Sequence, residues 1–175
     1  MSEHHEAVAR ALSQPLDLLV AAEHQAAAAS GNVSAWQLPS ADKTVLARWG
    51  LPLIEECRLI PNIQEGMSPE MNVRGRQFYT LGLFADHEIG ALVKIGEVRG
   101  IPLNQALPES FINSSVAQFV ETSWRWYWVW KEVNALRFDI AQYDILDSFL
   151  DFATKLDPPV GTAETSLWRG LIESW

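Results

Sequence analysis

The chain has 175 residues, the size of one ordinary domain, and its 48% hydrophobic and 20% charged residues make a globular composition that excludes a disordered chain. A chain of this length buries roughly 70% of its unfolded surface, so no staple is required, and a single cysteine, Cys57, excludes a disulfide framework or a cysteine-rich zinc site. The balance of 13 basic against 22 acidic residues gives a net charge of −9, which repels phosphate backbones, argues against nucleic acid as a partner and suits a basic protein.

The N-terminus carries Glu3, His4, His5 and Glu6, the wrong charge for an export signal. Helices are expected from about Ser2 to Leu12 and from Leu16 to Ala29, where Leu12, Leu16, Leu19 and Val20 recur at helical spacing and Gly31-Asn32 supplies a stop. Asp17 and Glu23 interrupt the second stretch, so it is not expected to span a bilayer; no membrane partner is expected, and the cytoplasm, where a lone cysteine stays reduced, is the expected location. A helix from Ala41 to Trp49 follows, with Ser40 as its cap and Gly50-Leu51-Pro52 as its end.

The middle third changes period. Cys57 to Ile60 reads as a short strand ending at Pro61, and the polar stretch from Asn62 to Gly75 reads as a loop. Arg76 to Phe84 is apolar on both faces, as in a central strand covered on both sides. Glu88 to Ile95 alternates Ile89, Ala91, Val93 and Ile95, and Gly96-Glu97 has the form of a tight hairpin turn into a strand from Val98 to Leu103. Strands joined by such short connections predict an antiparallel meander. Asn113, Ser114 and Ser115 then announce a helix that runs to Ala135. Another opens at Asp139 and is stopped near Leu156 by Asp157-Pro158-Pro159, and a last helix from Glu164 gathers Leu167, Trp168, Leu171, Ile172 and Trp175. The order of elements predicts an α+β fold, a mostly antiparallel sheet flanked by N-terminal and C-terminal helices, in one domain over residues 1–175.

Catalytic signatures are missing. The sequence has no phosphate-binding glycine loop, no dinucleotide fingerprint and no GxSxG elbow. His4, His5, His24 and His87 lack metal-ligand spacing, His4-His5 reads as solvated terminus and His87 as part of a strand-connecting turn. Neither a catalytic residue nor a metal or cofactor is expected.

Two features stand out instead. Trp124, Trp126, Trp128 and Trp130, with Tyr127 between, fall in one segment where Val116, Phe119, Val120, Tyr127 and Trp130 keep a helical stripe. Most of these aromatics read as a bulky core face, whereas Trp128 falls towards Glu121 and Glu132 and reads as partly exposed, a position enriched at partner interfaces. In the next helix, Ile145, Phe149, Phe152, Ala153 and Leu156 share one face, and Asp144, Asp147 and Asp151 stand opposite at spacings of three and four. The three carboxylates read either as a solvated helix face or, with Trp128, as a contact for a basic partner.

The run Phe111-Ile112-Asn113-Ser114-Ser115-Val116-Ala117-Gln118-Phe119-Val120 resembles the Asn-Ser-Ser helix start of the SUKH immunity-protein superfamily, in its fourth subfamily. Leu46 with Gly50-Leu51-Pro52, Phe78-Tyr79-Thr80-Leu81-Gly82 and Gly96-Glu97-Val98 are similar to that family's helix stop, aromatic strand and hairpin turn, in the same order. The resemblance implies an α+β fold without catalytic residues. It also implies binding to a bacterial toxin, often a nuclease or deaminase, that the family member neutralises. It gives Asn113 and Ser114 a capping role and Gly82 and Gly96 a backbone role. Two other readings stay open: a general interaction or regulatory module, and a small-ligand binder or enzyme with an aromatic pocket.

Overall fold

The structure is a computed structural model that describes residues 3–20, 33–56, 59–63, 68–69, 71–104, 107–136 and 140–174. Among the described residues three helices come first: α1 (Glu3–Ser13), α2 (Leu16–Leu19) and α3 (Ser40–Trp49). Six strands follow: β1 (Leu59–Pro61), β2 (Met71–Val73), β3 (Arg76–Phe84), β4 (His87–Leu92), β5 (Val98–Pro102) and β6 (Ser110–Asn113). Helices α4 (Val116–Ala135), α5 (Ala141–Leu156), α6 (Pro159–Thr162) and α7 (Leu167–Glu173) complete the chain. The fold is α+β, with helices at both ends of an antiparallel sheet, as the pattern of elements predicts.

The sheet runs β1-β3-β4-β5-β6, and β2 pairs with β3 beyond the end of β1. Leu59 faces Phe84 and Met71 faces Phe78, so β1 and β2 share one edge of β3 while β4 takes the other. Strand β2 lies inside the stretch expected to be a loop. Arg74 and Gly75 both adopt positive φ, 50° and 79°, which is the two-residue hairpin geometry that turns β2 into β3. The β4–β5 connection is longer than the two-residue turn expected at Gly96-Glu97. The strand stops at Leu92, whose amide donates to the Glu97 carbonyl at 2.8 Å, and Ile95 projects from the turn, 60% exposed. The Lys94 amide donates to the Gln37 carbonyl at 2.6 Å, an interaction with the segment before α3 that draws these residues out of the ladder.

Several ends differ from the periodicity. Helix α2 stops at Leu19, where Val20 turns extended; residues 21–32, on which the rest of that expected helix falls, lie outside the described residues. Cys57, Asp139 and Trp175 also lie outside them. Ser40 is the first residue of α3 and the cap position is Pro39. At the other end the Gly50 amide closes the helix on the Leu46 carbonyl at 2.9 Å. Helix α7 begins at Leu167 because Thr165 accepts a bond from the Phe111 amide at 2.9 Å and Ser166 accepts one from the Arg169 amide at 3.3 Å.

One face of the sheet, through Tyr79, Leu81, Ile89, Ala91 and Val98, meets Phe119, Val120 and Trp124 of α4 in the main core. Trp126 packs on Phe149 of α5 and Trp168 of α7, with ring centroids 4.9 and 6.1 Å away. Trp124, Trp126 and Trp168 are fully buried, so the tryptophan-rich segment is chiefly core, worth about 1.5–3 kcal/mol or more per large side chain. The opposite sheet face buries a smaller cluster of Met71, Phe78 and Ile101. At the far side of α4, Arg125 is 4% exposed and donates to the carbonyls of Ala11 at 2.7 Å and Gln14 at 2.5 Å, a cation at the C-terminal end of α1 that fixes the first helix to the domain. Among the described residues no helix is long and apolar enough to cross a membrane.

Candidate functional site

Helix α5 sorts its residues by the spacing read from the sequence. Ile145, Phe149 and Ala153 are buried, and Asp144, Asp147 and Asp151 are all exposed on the other side. The three carboxylates join no ion pair among the described residues. Like charges three and four residues apart cost a few tenths of a kcal/mol per pair, a loss that the place of Asp144 in the first turn of α5 partly offsets. Trp128 is placed differently. It is half-buried on α4, its indole N–H donates to the Leu19 carbonyl at 2.6 Å, and the Lys131 ammonium stands 4.3 Å from its ring centroid. The aspartates therefore share one surface, whereas Trp128 belongs to another helix and holds α2 with its polar end.

The start of α4 is built from further away than its own sequence shows. Ser115 is the cap and accepts from the Gln118 amide at 3.2 Å. Asp42, on α3, is 2% exposed and accepts from the Ala117 amide at 2.9 Å, which satisfies a second orphan donor of the same helix end. Burial raises the pKa of the Asp42 carboxyl, against the lowering effect of the Ala117 and Val116 amides. Its Oδ2 is buried without a hydrogen-bond partner and lies over Gly96, whose φ is +81°. A side chain at Gly96 would collide with that carboxylate, so this glycine serves the approach of α3 as well as the turn.

Asn113 and Ser114 do not cap α4. Their donors converge on Asp157, just beyond α5: Asn113 Nδ2 at 3.1 Å, the Ser114 amide at 2.7 Å and the Ser114 hydroxyl at 2.7 Å. Asn113 Oδ1 accepts in turn from the Trp168 indole at 3.1 Å. Asp157 and Asn113 are 1% and 0% exposed, so the network is a buried lock joining β6, the end of α5 and α7. Asp42 and Asp157 escaped the sequence reading because their partners lie 75 and 43–44 residues away. The matched Asn-Ser-Ser segment is structural, as the resemblance implies, but through a different contact.

A groove of about 440 Å³ opens where the β3–β4 hairpin meets β6 and α7. Phe84, Leu167 and Leu171 supply apolar wall, Ala85, His87 and Ser110 the strand side, and Glu164 the rim. His87 Nε2 lies 3.3 Å from the Ser110 hydroxyl, and burial holds its imidazole below the ordinary value of 6.5, opposed by nearby Asp86. Burial thus favours the neutral imidazole, and among the described residues its Nδ1 has no hydrogen-bond partner that would orient the ring as a base. Among the described residues no group of three side chains is arranged to hold a metal ion. The sequence placed His87 in a turn; it begins β4 and faces a groove assembled from three separate stretches of chain.

A family model described as SUKH-4 immunity protein matches residues 11–174. The match extends well beyond the motifs between Leu46 and Val120, from the end of α1 to the close of the tryptophan-rich third. No curated protein and no solved structure matches the chain.

Proposed function

We propose that this chain, which belongs to the SUKH-4 immunity protein family, neutralises a bacterial polymorphic toxin of nuclease or deaminase type by binding it directly in the cytoplasm, without catalysis of its own. The family match over residues 11–174 is the observation that carries the reading. Charge supports the choice of partner. An enzyme that acts on nucleic acid presents Lys and Arg around its substrate groove, and a protein of net charge −9 is drawn to such a surface.

Asp144, Asp147 and Asp151 are the residues we assign to first contact, with the exposed part of Trp128, on helix α4, as a separate contact. Exposed carboxylates opposed to a basic groove act chiefly on encounter rate and orientation, and less on the affinity of the final complex. Occlusion of the toxin's substrate groove then suffices for neutralisation. The test is co-expression with the toxin domain encoded by the adjacent reading frame, followed by association kinetics on the purified pair. Growth should be rescued and a stable complex recovered. Replacing the three aspartates by lysine should leave unfolding free energy within about 0.5 kcal/mol, slow association and abolish its salt dependence. Rescue without any complex, or turnover of the toxin's substrate or product by this protein alone, would defeat the binding reading. An unchanged association rate at low salt would remove the aspartates from the contact.

A further inference from the structure

Helix α7 presents a wide apolar face, with Leu167 and Leu171 half-buried at the edge of the core. Trp168 and Ile172 point into the core, while Leu167, Gly170, Leu171 and Ser174, at helical spacings of three and four, line the groove beside His87 and Ser110. Gly170 is the informative residue. Glycine inside a helix is disfavoured relative to nearly every other residue, so its presence calls for a cause. Every other described glycine has one: Gly50, Gly75, Gly82 and Gly96 adopt positive φ, and Gly90, Gly100 and Gly161 sit against a neighbour that a side chain would press. At Gly170 the backbone is helical and a Cβ would meet nothing within 4 Å. Among the described residues nothing uses the space that the missing side chain leaves over the groove.

We infer that this groove is the anchor pocket for the toxin, and that its occupant is an apolar side chain flanked by a basic residue on the toxin surface. The inference rests on the proposed function and deepens it by naming where the complex is held. The wall chemistry fits an apolar anchor: Phe84, Leu167 and Leu171 offer only carbon, and His87 Nε2 is taken up by the Ser110 hydroxyl, which leaves Nδ1 as the one ring nitrogen that a polar group of the occupant could meet. A buried side chain in such a pocket is the usual source of interface energy. The rim supplies the sign of charge. Glu164 and, in the adjoining hairpin turn, Asp86 are exposed, while the Arg169 guanidinium is held by the carbonyls of Gly161 and Glu164 and by Glu173. A second copy of this acidic chain would bring like charge to that rim, whereas a basic toxin brings the opposite.

The experiment measures binding of the toxin domain from the adjacent reading frame to wild type, Gly170→Phe, Leu171→Gln and Glu164→Lys, with melting temperature and sedimentation for each. Gly170→Phe fills the groove from a helical position with free space, so it should fold as wild type and weaken binding at least about tenfold. Leu171→Gln, which keeps the space and removes the apolar wall, should weaken binding in the same sense, and Glu164→Lys should chiefly slow association. Wild-type affinity in both Gly170→Phe and Leu171→Gln would overturn the pocket and leave the proposed function standing. Absence of binding by wild type itself would overturn both. A wild-type dimer that Gly170→Phe converts to monomer would reassign the groove to a second copy and also overturn the inference.

Discussion

Asp157→Ala removes a carboxylate that is 1% exposed and accepts three hydrogen bonds, one from Asn113 and two from Ser114. The three donors do not suffer equally. Asn113 is fully buried, so its Nδ2 is left without a partner, a desolvation loss of about 1–3 kcal/mol. Ser114 is exposed, and water can take over its amide and hydroxyl; each of those charge-assisted bonds then accounts for only about 0.5–1 kcal/mol. The whole substitution should cost about 2–5 kcal/mol in urea unfolding, with an unchanged slope, because the extent of the fold is the same. Ser114→Ala, which deletes one hydroxyl donor, should cost about 1 kcal/mol in the same assay. Asn113→Asp should be worse than either, since it replaces the Nδ2 donor to Asp157 by a second carboxylate oxygen set against the first, although an acceptor for Trp168 remains. A loss below about 1 kcal/mol for Asp157→Ala would refute the reading of this network as a lock between β6, α5 and α7.

Gly96→Ala combines positive φ with a collision against the buried Asp42 carboxylate, and should lower stability by at least about 1–3 kcal/mol; a melting temperature equal to wild type would show that α3 does not press on this turn. His87 is held neutral by burial, with a folded pKa below the ordinary 6.5 that the unfolded chain retains. It therefore contributes stability above about pH 6.5 that is lost as pH falls through the folded value, so the stability of wild type relative to His87→Gln should decline between pH 7 and 5, and a flat difference would contradict its burial.

The elements that came clearly from the sequence are those whose signal is local and long. Strand β3 occupies Arg76–Phe84, the residues its pattern predicts, and α4 ends at Ala135 as expected, because nine and 20 residues give periodicity room to show. Strands β2 and β6 have three and four residues, too few for alternation to register. Arg74-Gly75 was the only local mark of β2, and the helix-start reading of Asn-Ser-Ser hid the strand that precedes it. Of the candidate contact residues, the exposure of Asp144, Asp147 and Asp151 follows from helical spacing alone. The engagement of Trp128 with Leu19 does not, since it depends on where α2 docks across 109 residues of chain. The groove was illegible for the same reason: its walls come from residues 84–87, 110 and 164–174, which only the closed sheet brings together.

The way the sheet is finished bears on how such a protein can change partners. Its outer strands are three or four residues long; Leu59 exchanges both backbone bonds with Ile54, and Phe111 gives its amide to Thr165. Beside Leu59 of β1 and Phe111 of β6 an added strand therefore finds little unpaired backbone to extend. Backbone pairing is tolerant of sequence, whereas side-chain recognition is not. If the proposed contacts on α5 and α7 hold, recognition there rests on side chains, and a few substitutions on those helices retarget the protein while the ladder beneath stays untouched. Edges covered in this way also guard the folded chain against templating its own aggregation.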